Sequence, residues 1–569
     1  MRTLRKQIWR DFCAKAKIVS FRSTKPGPFN LPGNPMYFLF RLICLLVLVG
    51  GAVPALAQKE KVNLEYADNL FGTVKDGQET RRLVGNVRLR QGNTTINCDS
   101  AYLYNARNFV EAYGNVRIVE GDSVTITGNN GTYNGQTKQS EMRGNVVMND
   151  GTKILHTEIL DYDMRTSVAH YPDNGRIVEG ENTVTSKQGY YNTQTKVFTF
   201  ERDVVMVNPK YTLTSDRVVY ASNSKTAYFT TLTRIVGKDG TLVSTDGEYN
   251  TVTGVSNFRA RSSIEYSTYI LTGDRLNYDK LKEKGVATGN VVLYAKQDSV
   301  VVEGDTGRYF GEFGLSKVHG RALMKKTMQQ DTLYITADTL ASVESKETNV
   351  KKIFAYNHVK IFKKDLQGKC DSLVYNQLDS LIHFYHDPVL WNDQSQLMAD
   401  TVRIQLANNR MDRMFLKTNS FVISLDTLKN YNQVKGRQMV AFFSGKDSKL
   451  ERVTVNGNGE NVTWVLNDLN TDIRGVNKVE CSNMIINLTD GKVKRVAFLN
   501  KPDAIFIPPH EIAEPDTRLR GFKWRDAEKP ARKDVMVRKE TPLPVPKKPK
   551  KSEPKTAAKA KAAAKLKSR

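Results

Sequence analysis

The side chains with the most chemical potential in this sequence are carboxylates that recur. Asp216, Asp274, Asp338, Asp371 and Asp400 each sit beside an apolar run, and the interval between Asp371 and Asp400 recurs elsewhere in the chain. Paired carboxylates are the machinery of glycoside hydrolysis, one acting as acid and the other as base or nucleophile. A catalytic carboxylate is needed once or twice, however, whereas these stand at the same place in unit after unit. A residue that every unit needs is one that turns the chain or starts a strand by bonding nearby backbone. His383 and His386 are a second candidate, as metal ligands, but on a strand a spacing of three puts the two rings on opposite faces. The chain has no Gly-x-Ser-x-Gly elbow, no phosphate-binding glycine loop and no His-Glu-x-x-His, so the common hydrolase, nucleotide and metalloprotease signatures are missing. The expectation is a protein that is not an enzyme, with no cofactor and no metal.

The elements that must carry these residues are repeats. Tyrosines stand at 104, 133, 162, 191, 220, 249 and 278, equally spaced throughout, and most are followed by Asn or Asp. Gly-Asn-Val recurs at Gly85, Gly114, Gly144 and Gly289, with a degenerate Gly-Arg-Ile at Gly175. A fixed period of this length marks a repeat architecture. Within each copy the apolar residues alternate: Val87 and Leu89, Val116 and Ile118, Val124 and Ile126, Val146 and Met148. Alternation is strand periodicity, one face buried and one wet. Asn130-Gly131, Asn134-Gly135, Asp150-Gly151, Asp239-Gly240, Asn456-Gly457 and Asp490-Gly491 supply the backbone angles of tight hairpins, so neighbouring strands are expected to run antiparallel. The repeated tyrosines are read as packing residues with hydroxyls at the rim.

The net charge of +25 belongs mostly to the ends. Residues 1–57 carry nine basic and one acidic residue, residues 538–569 twelve and two, which leaves only +7 between them. The first 57 residues combine a basic stretch, the apolar run 42–53 and Ala55-Leu56-Ala57, the pattern of a secretory signal or N-terminal anchor. An exported chain does not meet DNA, so the basic C-terminus is read as a solvated Lys/Ala/Pro tail rather than a nucleic-acid arm. Cys98, Cys370 and Cys481 remain beyond the signal; three distant thiols make at most one bridge and cannot be the framework of the fold.

A signal followed by phased Gly-Asn-Val strands, each leading to a small-residue/Asp element and a Tyr-Asn/Asp pair, resembles the OstA/LptA-like family of periplasmic lipopolysaccharide-transport proteins. The resemblance implies an all-β fold, an elongated twisted antiparallel β-jellyroll or solenoid of ~29-residue repeats. It divides the chain into a signal or anchor (1–57), OstA/LptA-like repeats (58–310), a second and more divergent repeat module (311–510) and a disordered basic tail (511–569). It also implies a periplasmic, non-enzymatic lipid conduit whose interior shelters acyl chains of lipopolysaccharide or lipid A. On that reading Val87, Leu89, Val116, Ile118, Val124, Ile126, Val146 and Met148 line the lipid path. Partners would be other lipopolysaccharide-transport proteins at the inner and outer membranes, with end-to-end pairing of copies through open strand edges. The competing expectations are a surface or matrix β-solenoid and a polysaccharide-active parallel β-helix.

Overall fold

The computed structural model describes residues 60–538 apart from 76, 122–123, 239, 297–298, 329–330, 346–349, 409, 445–448 and 490–491. All of these fall in one compact unit, Glu60–Arg569. The signal expected over 1–57 and the tail from 539 onward lie outside the described residues. The described residues form a single sheet of 38 strands in which strands adjacent in the sequence pair antiparallel. That pairing contradicts a parallel β-helix and agrees with the hairpin expectation. These strands make one sheet folded over on itself.

The fold line is set by the Gly-Asn pairs, which are corners rather than hairpin turns. In strand Phe109–Glu120, Gly114 has φ 73° and Asn115 φ 43°, a left-handed conformation that glycine adopts freely and asparagine tolerates. Ser100 lies opposite Tyr113 but Asn97 lies opposite Arg117, so the register slips by one residue. Such a bulge bends the strand and increases its twist. Each long strand therefore runs along one leaf of the sheet, turns at the corner and continues along the other, and elsewhere the corner falls between two short strands such as Asn182–Ser186 and Gln188–Asn192. The corner is clasped from the neighbouring strand: the Asn115 amide donates to Asp99 at 2.9 Å. A Cβ added at Gly114 would sit 2.4 Å from the Asp99 carboxylate. Asn86 with Asp68 and Asn290 with Asp274 repeat the contact at 3.0 and 2.8 Å.

This is where the recurring aspartates go. Asp274 clasps Asn290, Asp338 meets His358 at 2.9 Å, and Asp400 accepts from Asn419 at 3.1 Å. The Asp371 amide donates to the His386 carbonyl at 3.2 Å, and Asp216 occupies the same bend opposite the bulge at Arg202-Asp203. His386 is therefore a corner residue, while His383 stacks on Tyr385.

Several local expectations need correction. Asn130-Gly131 lies inside strand Val124–Asn134, where Gly131 makes room for Met142, and Asn456-Gly457 belongs to a corner bulge. Asn134-Gly135 and Asp150-Gly151 do open turns; Asp239 and the 490–491 pair lie outside the described residues. Gly175 does not bulge. It follows the break between strands Val168–Tyr171 and Gly175–Glu179 and leaves space for the Tyr171 ring. The ladder runs through 311–326 and 405–450, where the sequence period fades. The period fades because strands there lengthen, to 16 residues in Arg410–Leu425 and 17 in Leu450–Leu466.

Residues 511–538, expected to begin the disordered tail, are ordered against the sheet. Leu519 and Val535 are buried in apolar clusters with Ile423, Val462 and Val476 and with Leu323 and Tyr334 respectively. Charge and proline content concealed a sparse set of anchors, Leu519, Phe522, Trp524 and Val535.

Candidate functional site

One apolar residue per strand forms a cross-strand ridge on the inner face of one leaf. Register links Leu89 to Ile96, Ile96 to Ile118, Ile118 to Ile126, Ile126 to Met148 and Met148 to Leu155. It continues through Ile177, Val184, Met206, Leu213 and Ile235 to Leu242 and, strand by strand, as far as Leu390. Every position on this path is aliphatic or Met except Gly368. The eight residues assigned from sequence to the interior, Val87, Leu89, Val116, Ile118, Val124, Ile126, Val146 and Met148, are all buried, between 0 and 4% exposed, and Leu89, Ile118, Ile126 and Met148 among them lie on this ridge. Fully burying such a side chain is worth about 1.5–3 kcal/mol, so this ridge also contributes to cohesion.

The facing leaf carries the tyrosines. Tyr133, Tyr162, Tyr191 and Tyr220 lie on its inner side and alternate across the ladder with smaller residues, Ser140 beside Tyr162 and Ala169 beside Tyr191. One period of the sequence is thus two strands, one bearing Tyr and the next a smaller side chain, except at Phe198, which stands between Tyr191 and Tyr220 and stacks on Tyr191. Where Asn or Asp follows the tyrosine, its side chain builds the turn. Asn192 Oδ1 accepts from the amides of Gln194 and Thr195 at 3.1 and 2.8 Å, and Asn134, Asp163 and Asn250 do the same. Tyr104 departs from its successors: Leu103 takes the inner place, and Tyr104 packs on Phe109 and bonds Glu111.

The tyrosine hydroxyls reach across the seam where the two leaves' free tips meet. Tyr133 donates to Gln91 Oε1 at 2.6 Å and Tyr220 to Glu179 at 3.0 Å; Tyr162 bonds Glu120 and Tyr191 bonds Asp150. Lys196 and Lys225 add bonds of 3.0 and 2.9 Å to Asp150 and Glu179, and the buried Lys153 lies between those two carboxylates at 3.8 and 3.7 Å. Burial pushes the Asp150 carboxyl up, but bonds from Tyr191, Lys196 and the Thr152 amide outweigh it and hold the group well below the carboxylate range. Glu179 is lowered the same way: burial opposes, and Ser222, Lys225 and Tyr220 prevail. Burial pushes the Tyr133 phenol up to about 12. Two small cavities lie beside these bonds, one lined by Ile177, Glu179, Val184 and Tyr220 and the other by Met148, Asp150 and Tyr191, each of about 10 Å³. That is room for a single water, so the clasped stretch of the interior is filled by the protein's own side chains.

Along residues 360–535 a second feature escaped sequence reading, a strap on the outer face of the leaf. Gln433 Nε2 donates to the Thr517 carbonyl and its Oε1 accepts from the Leu519 amide, at 2.7 and 2.9 Å. Gln396 treats Lys523 and Arg525 identically, both at 2.7 Å. Both glutamines are fully buried. Arg525 pairs with Asp387 at 2.8 Å, and the strap ends with Arg538 bonded to Asp305. Cys98, Cys370 and Cys481 are each buried and free.

Family comparison agrees with this architecture in two separate stretches. Residues 59–216 match a family model described as OstA-like protein, and residues 327–410 match one described as the LptA/(LptD N-terminal domain) LPS transport protein. A search of curated proteins finds no match to the chain. The first match covers the clasped repeats and the second falls where the sequence period has faded, yet both lie on one uninterrupted ladder. Over these two stretches the chain is similar to the OstA/LptA-like family, and the second of the two models is described as an LPS transport protein.

Proposed function

We propose that the protein is a non-enzymatic periplasmic conduit in lipopolysaccharide transport and outer-membrane assembly, holding acyl chains between the two leaves of the folded sheet. The observation that carries this reading is the inner ridge. An aliphatic or Met side chain from each strand, interrupted only by Gly368, makes a wall along which a hydrocarbon chain meets the same chemistry at every step. Each methylene buried against it contributes about 0.8 kcal/mol, and a uniform wall has no deep well in which a lipid would stall. Within the clasped repeats the acyl chain displaces contacts between leaves, so passage requires the seam to part. Val87, Leu89, Val116, Ile118, Val124, Ile126, Val146 and Met148 are the contacts in that stretch.

Partners follow from the ends of the ladder. Among the described residues, strands Asn63–Tyr66 and Asn69–Lys75 pair only with Gln78–Gln91, and leave Leu70 and Phe71 about half exposed, at 50 and 53%. At the other end, among the described residues, Asp503–Ile507 pairs only with Ile473–Thr489, with Ile505 and Phe506 at 59 and 54%. Open edges of this kind accept another strand, from a second copy or from other lipopolysaccharide-transport proteins at either membrane. Depleting the protein in its own cells tests the function: lipopolysaccharide should accumulate at the inner membrane. Unchanged lipopolysaccharide in the outer membrane after depletion would refute the proposal.

A further inference from the structure

The leaf that carries the tyrosines has an outer side as well as an inner one, and the charge of that outer side changes along the ladder. In the first half it holds Glu111, Glu141, Asp161, Glu201 and Glu248. In the second half the register carries three outward residues per strand across eight strand intervals, from Lys352, Phe354 and Tyr356 to Arg495, Ala497 and Leu499. None of these outward residues is Asp or Glu, and six are Lys or Arg: Lys352, Arg403, Arg413, Lys417, Arg452 and Arg495.

Of the six cations, only Arg413 has an acidic partner among the described residues, Asp412 at 3.2 Å. Asp371 and Asp400, at the margin, are engaged by Ser372 and Asn419. Arg403 Nε is buried with no hydrogen-bond partner, so its guanidinium is not satisfied within the fold. Arg452 lies over the Phe442 ring at 4.2 Å, a cation–π contact that holds the guanidinium in place without neutralising it. Like charges gathered without counter-ions raise the local potential, and a bound anion relieves it.

Aromatic rings lie between the cations. Phe354 and Tyr356 stand with ring centroids 5.7 Å apart and planes within 4°, and His383 and Tyr385 repeat the arrangement at 5.9 Å and 9°. Register places Val374 and Ser372 between the two pairs, which sets the pairs about 10 Å apart. Tyr356 and Tyr385 are 41 and 37% exposed. Burial, and then Arg403, holds the His383 imidazole below its ordinary range, so at neutral pH it is an uncharged ring. The face of an aromatic ring is the negative side of its quadrupole and attracts the C–H groups on the face of a sugar, which leaves the sugar's hydroxyl and acid groups pointing outward.

We infer that the outer side of this leaf over 352–499 is a binding face for an anionic polysaccharide, with sugar rings on Tyr356 and Tyr385 and acid groups on Arg403, Lys417, Arg452 and Arg495. Eight intervals of about 4.8 Å make the face roughly 38 Å long, the reach of a chain and not of a single small anion. Neighbouring strands rotate by about 20°, so over that length the face turns through roughly 160°; a flexible chain follows such a surface and a planar membrane does not. The choice of a glycan over a nucleic acid rests on the periplasmic reading above. The face itself lies outside the leaves, so the inference needs neither a lipid nor an opening of the seam.

The test uses the full-length purified chain and fluorescent polygalacturonate, with dextran, a single-stranded DNA oligonucleotide and phosphatidylglycerol vesicles as competitors. Polygalacturonate should bind at low salt and be released as salt rises, and dextran should not compete. Arg452→Glu with Arg495→Glu, both at exposed positions, should weaken binding about tenfold. Tyr356→Ala with Tyr385→Ala should weaken it roughly threefold without changing its salt dependence. Arg176→Glu with Arg234→Glu, exposed on the outer side of the other leaf, should leave it unchanged, with circular dichroism to confirm that each variant folds. No binding by the folded chain, an equal loss in the Arg176 and Arg234 control, or full competition by dextran would overturn the inference and leave the conduit standing. Tighter binding to the vesicles than to polygalacturonate would overturn it in favour of a membrane surface. Tighter binding to the oligonucleotide would overturn it and count against the periplasmic reading as well.

Discussion

The Tyr220 hydroxyl donates to Glu179 across the seam at 3.0 Å, and Lys225 donates to the same carboxylate at 2.9 Å. The two partners come from opposite leaf tips, so this contact joins what the corner separates. Four such contacts in succession, from Tyr133 to Tyr220, hold the first half of the interior shut.

Removing the clasp should cost stability unequally. Tyr220→Phe deletes a hydrogen bond to a charged acceptor and should cost about 1.5–3 kcal/mol. Glu179→Ala should cost more, because it also strips a partner from the buried Lys153. Urea unfolding of the single and double variants measures the coupling; strict additivity would show that the bond contributes nothing.

At the corner, Gly114→Ala forces a Cβ into a left-handed backbone and against Asp99. The expected loss is about 1–3 kcal/mol. Gly72→Ala, where a Cβ meets nothing within 4 Å, is the control and should be near neutral in the same thermal melts.

The strap offers a local readout. Gln433→Ala orphans the Thr517 carbonyl and the Leu519 amide, at a cost of about 1–3 kcal/mol. Hydrogen exchange should accelerate over 517–525 and stay unchanged over 109–120. Uniform acceleration across both would mean that the strap is integral to the whole sheet.

The clasp also predicts a stability plateau bounded by pH. Asp150 and Glu179 titrate lower in the folded chain than in the unfolded one, so their contribution is complete above the ordinary carboxylate pKa of about 4 and is lost as pH falls below it. Tyr133 behaves oppositely. Its phenol, pushed up to about 12, stays protonated when the unfolded chain has already ionised near 10, so stability falls as pH rises between those values. Unfolding midpoints across pH should show both limbs, and Asp150→Asn should flatten the acid one.

The period of the tyrosines, the alternation of Val116 with Ile118 and the Gly-Asn pairs made the antiparallel ladder and its inner face legible in the sequence. What each motif does was less legible. Gly114-Asn115 marks the period without saying what the pair does, and only the Asp99 side chain on the next strand shows that it is a corner. The clasp was hidden because Tyr191 and Asp150 are distant in the chain and belong to different strand pairs, beyond any local pattern. The strap was missed because Gln396 and Gln433 look like surface residues until a main chain is laid on them.

The most direct measurement of the central claim is photo-crosslinking in growing cells, with a photoreactive residue at Leu271 or Leu293 on the inner ridge and at Tyr113, which is 38% exposed on the outer side. Lipopolysaccharide adducts should form from Leu271 and Leu293 and not from Tyr113. Adducts from Tyr113 alone, or none from the inner positions in folded, correctly exported protein, would contradict a lipid path between the leaves.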